Sequence, residues 1–243
     1  HMTTADGSVL GTTQIFGGAP RNRAFNIALL ADGFTAGQQN EFNQSCASFV
    51  EQFLGTPPFG DLKPAVNVFR VNVTSTDSGA DDPAVDGGTG ATARTFFDSS
   101  FGGNGIRRLL ICNASTALQV ASAQVPEFTV AMVIVNSTIY GGSGGGVGTF
   151  SLAANANEIA IHELGHTAFG LADEYPYYAG GNETGHDHHP TVEPTEPNVT
   201  INTQRSTLKW GWAVAASTEI PTMRNPNCAQ VDSRPSPVPA GTV

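Results

Sequence analysis

The residues His162-Glu163-Leu164-Gly165-His166 set two imidazoles four positions apart with a carboxylate beside the first. On a helix, such a pair lies about 40° apart around the axis and about 6 Å along it, so both rings can reach one ion. Zinc takes neutral imidazole nitrogen at about 2.0–2.1 Å, and a catalytic zinc uses three protein ligands plus water. The chemistry expected is therefore hydrolysis, with His162 and His166 as metal ligands. Glu163 would be the general base on a water that the metal acidifies, passing the proton on to a leaving amine. A pattern that fixes three residues recurs by chance. Here, however, all five histidines other than His1 fall between positions 162 and 189.

A third ligand must come from nearby. Zinc sites of the metzincin type place a histidine six residues after the second one, and that position is Ala172. Asp173 and Glu174 follow, both able to bind zinc through oxygen. Asp173 is favoured because it comes just past Gly170, where the helix should stop and the chain turn back; Glu174 is the close alternative. The carboxylate not used could orient a ligand histidine. The run His186-Asp187-His188-His189 is a further source of a ligand, or an ordinary surface loop. Tyr175, Tyr177 and Tyr178 could donate to an oxyanion or simply pack. Asp77, Asp81, Asp82 and Asp86 could bind calcium through oxygen, but they lack the EF-hand pattern and read by default as a solvated turn.

These residues need elements to position them. Ile159, Ile161, Leu164 and Ala168 supply apolar positions for a packed helix over 153–169, with Gly165 allowing a close backbone approach. Upstream, 26–31 reads as a buried strand ending at the turn signal Asp32-Gly33. Thr35 and Gln38 form a capping-box pattern before an amphipathic helix over 36–54, where Phe42, Cys46, Phe49, Val50 and Phe53 recur at helical spacing. Residues 66–74 alternate as a strand. Residues 77–104 read as a long loop with a short helix at 91–98. Two more strands are expected at 107–113 and 128–137, with a short helix between them. Gly141–Gly148 is a glycine-rich loop, and it lacks the Gly-Lys-Ser/Thr of a phosphate loop. Loops follow from 170 to 207, then a short ordered piece around Trp210 and Trp212. Alternating strands and helices predict an α/β fold (α+β by some definitions), with a twisted, mostly parallel sheet and a metal-binding helix.

Composition sets outer limits. With 243 residues, 40% of them hydrophobic, the chain can bury a core. Only 13% are charged and the formal net charge is −10, with 11 Lys and Arg in total. That leaves no basic face for nucleic acid or for an anionic membrane. No apolar run approaches the roughly 18 residues of a membrane helix. Low charge with many small polar residues suits a secreted or cell-surface protein. Cys46, Cys112 and Cys228 are too few for a disulfide framework. His1-Met2 reads as a cloning remnant, 3–229 as one catalytic domain, and 230–243, with three prolines, as a linker or tail.

The match extends beyond three residues. His162–Tyr175, HELGHTAFGLADEY, closely resembles the zinc motif of the IgA-peptidase family of bacterial metallopeptidases. Shorter segments resemble that family in the same order: Leu30-Ala31-Asp32-Gly33-Phe34-Thr35, Pro58-Phe59 with Asn67-Val68, and Ser78-Gly79 with Asp82-Pro83. Val135-Asn136 with Tyr140-Gly141-Gly142 come next, followed by Glu196-Pro197-Asn198-Val199-Thr200 and Leu208-Lys209-Trp210. The resemblance spans about 30 to 225. It implies a secreted zinc endopeptidase with a metzincin-like domain and one catalytic Zn²⁺. His162 and His166 would be ligands, Glu163 the base, and Asp173-Glu174-Tyr175 part of the site. It does not carry over IgA as the substrate. Met223-Arg224 is the nearest counterpart of a later Cys-x-Met-Arg segment of the family, so the chain is expected to stop short of that part of the site. The expected enzyme is a monomer that acts on protein or peptide, bound in extended form beside an edge strand near 135–142. The competing expectation is a non-catalytic adhesion or binding module that keeps a metal site.

Overall fold

The computed structural model describes residues 4–173, 192–202 and 204–218. The chain forms two compact units, residues 1–169 and 170–243.

The first unit is built on a six-stranded sheet. Its strands are β1 (Gly7–Phe16), β2 (Phe25–Asp32), β3 (Val66–Ser75), β4 (Val130–Val135), β5 (Gly142–Ser143) and β6 (Gly148–Phe150), in the order β1-β3-β2-β4-β6-β5. The four inner strands run parallel, and each edge strand is antiparallel to its neighbour. Every residue of β4 is buried, as is nearly every residue of β2. Strands covered on both faces read as continuous apolar runs, which is why FNIALLAD and VAMVIV are visible in the sequence. The mixed α/β expectation, with a mostly parallel sheet, holds.

Four helices flank the sheet: α1 (Gln39–Gly55), α2 (Phe59–Leu62), α3 (Ala114–Gln124) and α4 (Ala156–Phe169). Helix α1 buries Phe42, Cys46, Phe49 and Phe53, the stripe its spacing predicts. At its entry, Gln38 Oε1 accepts hydrogen bonds from Thr35 N and Oγ1, both at 3.1 Å. Asn113 caps α3 by accepting from Thr116 N at 3.1 Å, and Ala117 and Ala121 give that helix a small-residue contact face.

Three local expectations need correction. No element was expected before residue 26, yet β1 pairs with β3 over ten residues, with two register shifts. Residues 107–113 are not a strand. Leu109 and Ile111 make only isolated bridges, to Gly142 and Ser100, while Leu110 is fully buried. An apolar run of three can fill a core position from a loop as well as from a strand. Residues 91–98 are not a helix, because their N–H groups go to side chains instead of to an i−4 carbonyl. Ala93 donates to Asp81 Oδ1, Arg94 to Asp77 Oδ2, Phe96 to Ser75 Oγ and Phe97 to Asp32 Oδ1.

The same bonds account for the acidic loop. Asp77 pairs with Arg94 at 2.8 Å. Asp82 pairs with Arg107 at 2.7 Å and accepts from Thr89 N and Oγ1. These carboxylates serve as staples for 77–111. Asp32, at the C-terminal end of β2, is the hub, accepting from Ser75 Oγ, Phe97 N, and Ser99 N and Oγ. Beside it Gly33 has φ +70°, and a Cβ there would sit 2.0 Å from Gly79 O, so only glycine fits.

Among the described residues of the second unit, two cations tie loop carbonyls together. Arg205 donates to the carbonyls of Val214, Ala215, Ala216 and Thr218. Lys209 donates to those of Pro194, Glu196 and Val199.

Candidate metal centre

Helix α4 carries the site. It buries Ile159, Ala160, Glu163 and Leu164, one face against β6, β4, β5 and α1. Contacts at both ends lock its position. Asn157 Nδ2 donates to Ser48 Oγ of α1 at 2.7 Å. At the other end, the Phe169 ring stacks on Phe25 at 5.7 Å and on Phe59 at 6.2 Å between centroids. The helix ends there, and Gly170 follows at φ +62°, the left-handed residue that commonly terminates a helix.

His162 and His166 lie on the flank of this buried face, one turn apart. Their Nε2 atoms are 3.1 Å apart and their rings stand at 88° to each other. Two ligands on a tetrahedral zinc with bonds of about 2.0–2.1 Å would be separated by about 3.3 Å, so this pair needs almost no adjustment to share an ion. His162 is exposed and His166 half-buried, so the pair is open to solvent on one side.

Glu163 is 8% exposed, the only buried carboxylate on the helix. The glycine-rich loop makes room for it. A Cβ on Gly142 would lie 3.0 Å from Glu163 Oε1 and 2.7 Å from Ile159 Cγ2. A Cβ on Gly144 would lie 2.4 Å from His166 Cβ, and one on Gly148 3.1 Å from Thr167 Oγ1. These contacts belong to glycines of the facing β5–β6 hairpin, Gly142 in β5, Gly148 in β6 and Gly144 between them. The loop is itself fixed, since Ser143 and Thr149 both direct their hydroxyls at the Leu110 carbonyl.

His162 and His166 lie in the first unit, and Asp173, which is half-buried, lies at the start of the second. Asp173 follows Ala172, whose backbone is held by Asn198. The Asn198 carboxamide accepts from Ala172 N at 2.8 Å and donates to Ala172 O at 2.9 Å. Nothing in the spacing marked Asn198; its segment stood out only through the family resemblance. Glu174, Tyr175, Tyr177, Tyr178, His186, Asp187, His188, His189, Met223, Arg224 and Cys228 lie outside the described residues.

The edge expected to receive a substrate strand is already in use at one point. Gly142 N donates to Arg108 O and Gly142 O accepts from Leu110 N, so no added strand can pair with Gly142. Cys46 and Cys112 are free thiols; burial pushes the Cys46 thiol up and raises that of Cys112 to about 12, which makes both inert at neutral pH. No described helix is long and apolar enough to cross a membrane.

Comparison with known protein families gives a match over residues 14–231 to the family described as IgA Peptidase M64. Comparison with curated proteins gives no match.

Proposed function

Because the chain belongs to the IgA peptidase M64 family, we propose that it is a zinc-dependent endopeptidase whose base is Glu163 and whose metal ligands are His162, His166 and Asp173. The observation that carries this reading is the pair of Nε2 atoms 3.1 Å apart on one helix, with the buried Glu163 following the first histidine in sequence. Two neutral imidazoles and one carboxylate match the donor set of hydrolytic zinc sites. The same set suits Fe(II). A buried carboxylate that is adjacent to the ligands, yet not among them, favours hydrolysis.

When bound, the ion supplies Lewis acidity, lowering the pKa of water towards neutrality and polarising a carbonyl. The chain's own residues do the rest. A Glu163 carboxylate oxygen accepts a proton from the attacking water as the water oxygen bonds to the scissile carbonyl carbon. It then gives that proton to the amide nitrogen as the C–N bond breaks, so the products are a carboxylic acid and an amine. The Gly142 backbone, packed against the carboxylate, limits its swing and shields one side of it from water. Protein or peptide is the substrate class. The low charge and small-polar composition support action outside the cell.

The test is Glu163→Gln. Zinc content should be unchanged, while hydrolysis of a protein substrate falls by about 10²–10⁴-fold. Activity should also vanish with a chelator and return with zinc. Full turnover in Glu163→Gln would sink the mechanism.

A further inference from the structure

The residue next to Asp173 is held in an unusual way. Asn198 meets both polar atoms of Ala172, accepting from its N–H at 2.8 Å and donating to its carbonyl at 2.9 Å. That carbonyl belongs to the peptide unit that joins Ala172 to Asp173. Fixing it fixes the plane from which the Asp173 Cα, and hence its carboxylate, projects. Only a carboxamide offers a donor and an acceptor side by side. An aspartate would set an oxygen against the Ala172 carbonyl, and an alanine would release both bonds.

Asn198 is in turn held by its loop. Lys209 Nζ donates to the carbonyls of Pro194, Glu196 and Val199, the latter two at 2.7 and 2.8 Å, so one ammonium uses its three donors on both sides of Asn198. Glu193 closes the arrangement. It pairs with Lys209 at 3.3 Å and accepts from Ile201 N and Asn202 Nδ2, each at 3.0 Å. The result is a continuous brace within the second unit, from Lys209 through the 193–201 loop and Asn198 to the backbone at Asp173.

We propose that Asn198 is a positioning residue for the metal centre, orienting Asp173 as a ligand, and that Lys209 is the anchor that holds Asn198 in register. This rests on the reading of Asp173 as a ligand. Partners that orient a metal ligand are worth about 10–100-fold in metal affinity, because without them the ligand must be ordered when the ion binds.

The experiment measures the zinc dissociation constant of the full chain by competition with a chromophoric chelator. Metal-free thermal unfolding of each variant is measured alongside. Asn198→Ala should raise the dissociation constant by about 10–100-fold, and Lys209→Met, which leaves the amide in place but frees its loop, should raise it in the same direction. The decisive arm is the double variant. In an Asp173→Ala background, Asn198→Ala should have no further effect, because the ligand it orients is gone. An equal loss of affinity in both backgrounds would mark Asn198 as a general structural residue and overturn the proposal. So would unchanged affinity in both Asn198→Ala and Lys209→Met while Asp173→Ala weakens binding. If Asp173→Ala itself leaves zinc affinity intact, the ligand assignment fails first and the brace falls with it.

Discussion

The Nε2 atoms of His162 and His166 lie 3.1 Å from each other, with their rings nearly perpendicular. Helical geometry alone brings the two side chains within reach of one point. How close their ring nitrogens come depends on rotamers, and that of His166 is limited by the Gly144 backbone packed against it. Removing either ring should leave a two-ligand site. His166→Ala is expected to lose more than about 100-fold in zinc affinity, beyond the usual effect of an outer partner. Its far-ultraviolet circular dichroism should be unchanged, since His166 is not part of the buried face. Retained affinity by chelator competition would exclude His166 as a ligand.

The approach of Gly144 to His166 is equally specific. Gly144→Ala should destabilise the fold by about 1–3 kcal/mol, as overpacking does, because its new methyl would meet His166 Cβ at 2.4 Å. Zinc affinity should fall with it as the imidazole is pushed aside. A methyl on Gly146 would have nothing within 4 Å, and the backbone there is not left-handed, so Gly146→Ala serves as the control and should be close to neutral. Thermal unfolding of the pair, with and without zinc, checks both statements; equal behaviour of the two variants would refute the cradle.

Asp32 sets a pH dependence of a definite sign. Burial pushes its carboxyl above the ordinary carboxylate range, against hydrogen bonds from Ser99, Phe97, Thr95 and Ser75. The folded state thus holds the proton more tightly than the unfolded chain does. Stability contributed by the protonated group is complete below the unfolded pKa and is lost as pH rises through the folded one. In urea titrations from pH 4 upward, the stability advantage of the native protein over Asp32→Asn should shrink as pH rises. A widening gap would contradict this. At acid pH the variant should be less stable by about 1–3 kcal/mol, because its amide group would face donors.

Asp77 should behave in the opposite way. The hydrogen bonds from Arg94 hold its carboxyl down to about 2. The pair's contribution is therefore full above the ordinary carboxylate pKa and disappears as pH falls through about 2. Comparing Arg94→Gln with the native protein should give a stability difference at pH 6 that closes by pH 2, and that also narrows in high salt because the pair is solvent-exposed. A difference that persists at pH 2 would mean Arg94 acts through packing instead.

Much of this was legible in the sequence, for identifiable reasons. Strands β2 and β4 are buried on both faces, so their apolar runs are unbroken. Helix α1 shows its stripe because one face meets the core and the other meets water. β1 was missed because an edge strand facing solvent carries Gly, Ser, Thr and Gln and shows no run at all. The stretch 91–98 misled because its backbone donors are captured by Asp32, Ser75, Asp77 and Asp81, partners up to 65 residues away in the chain.

The sequence by itself determined how the two imidazoles and the carboxylate beside the first are spaced. A separation of four and a helical period of 3.6 leave His162, Glu163 and His166 little freedom once the helix forms. It also determined that the helix ends at Gly170, because a left-handed residue is needed there. What only the tertiary structure decided is what holds these groups in place. The glycines that fit against Glu163 and His166, the Phe25 and Phe59 rings that fix Phe169, and the carboxamide of Asn198 that grips Ala172 all come from elsewhere in the chain. Contacts of that kind leave no periodic mark, because they depend on the meeting of segments whose separation in sequence carries no physical meaning.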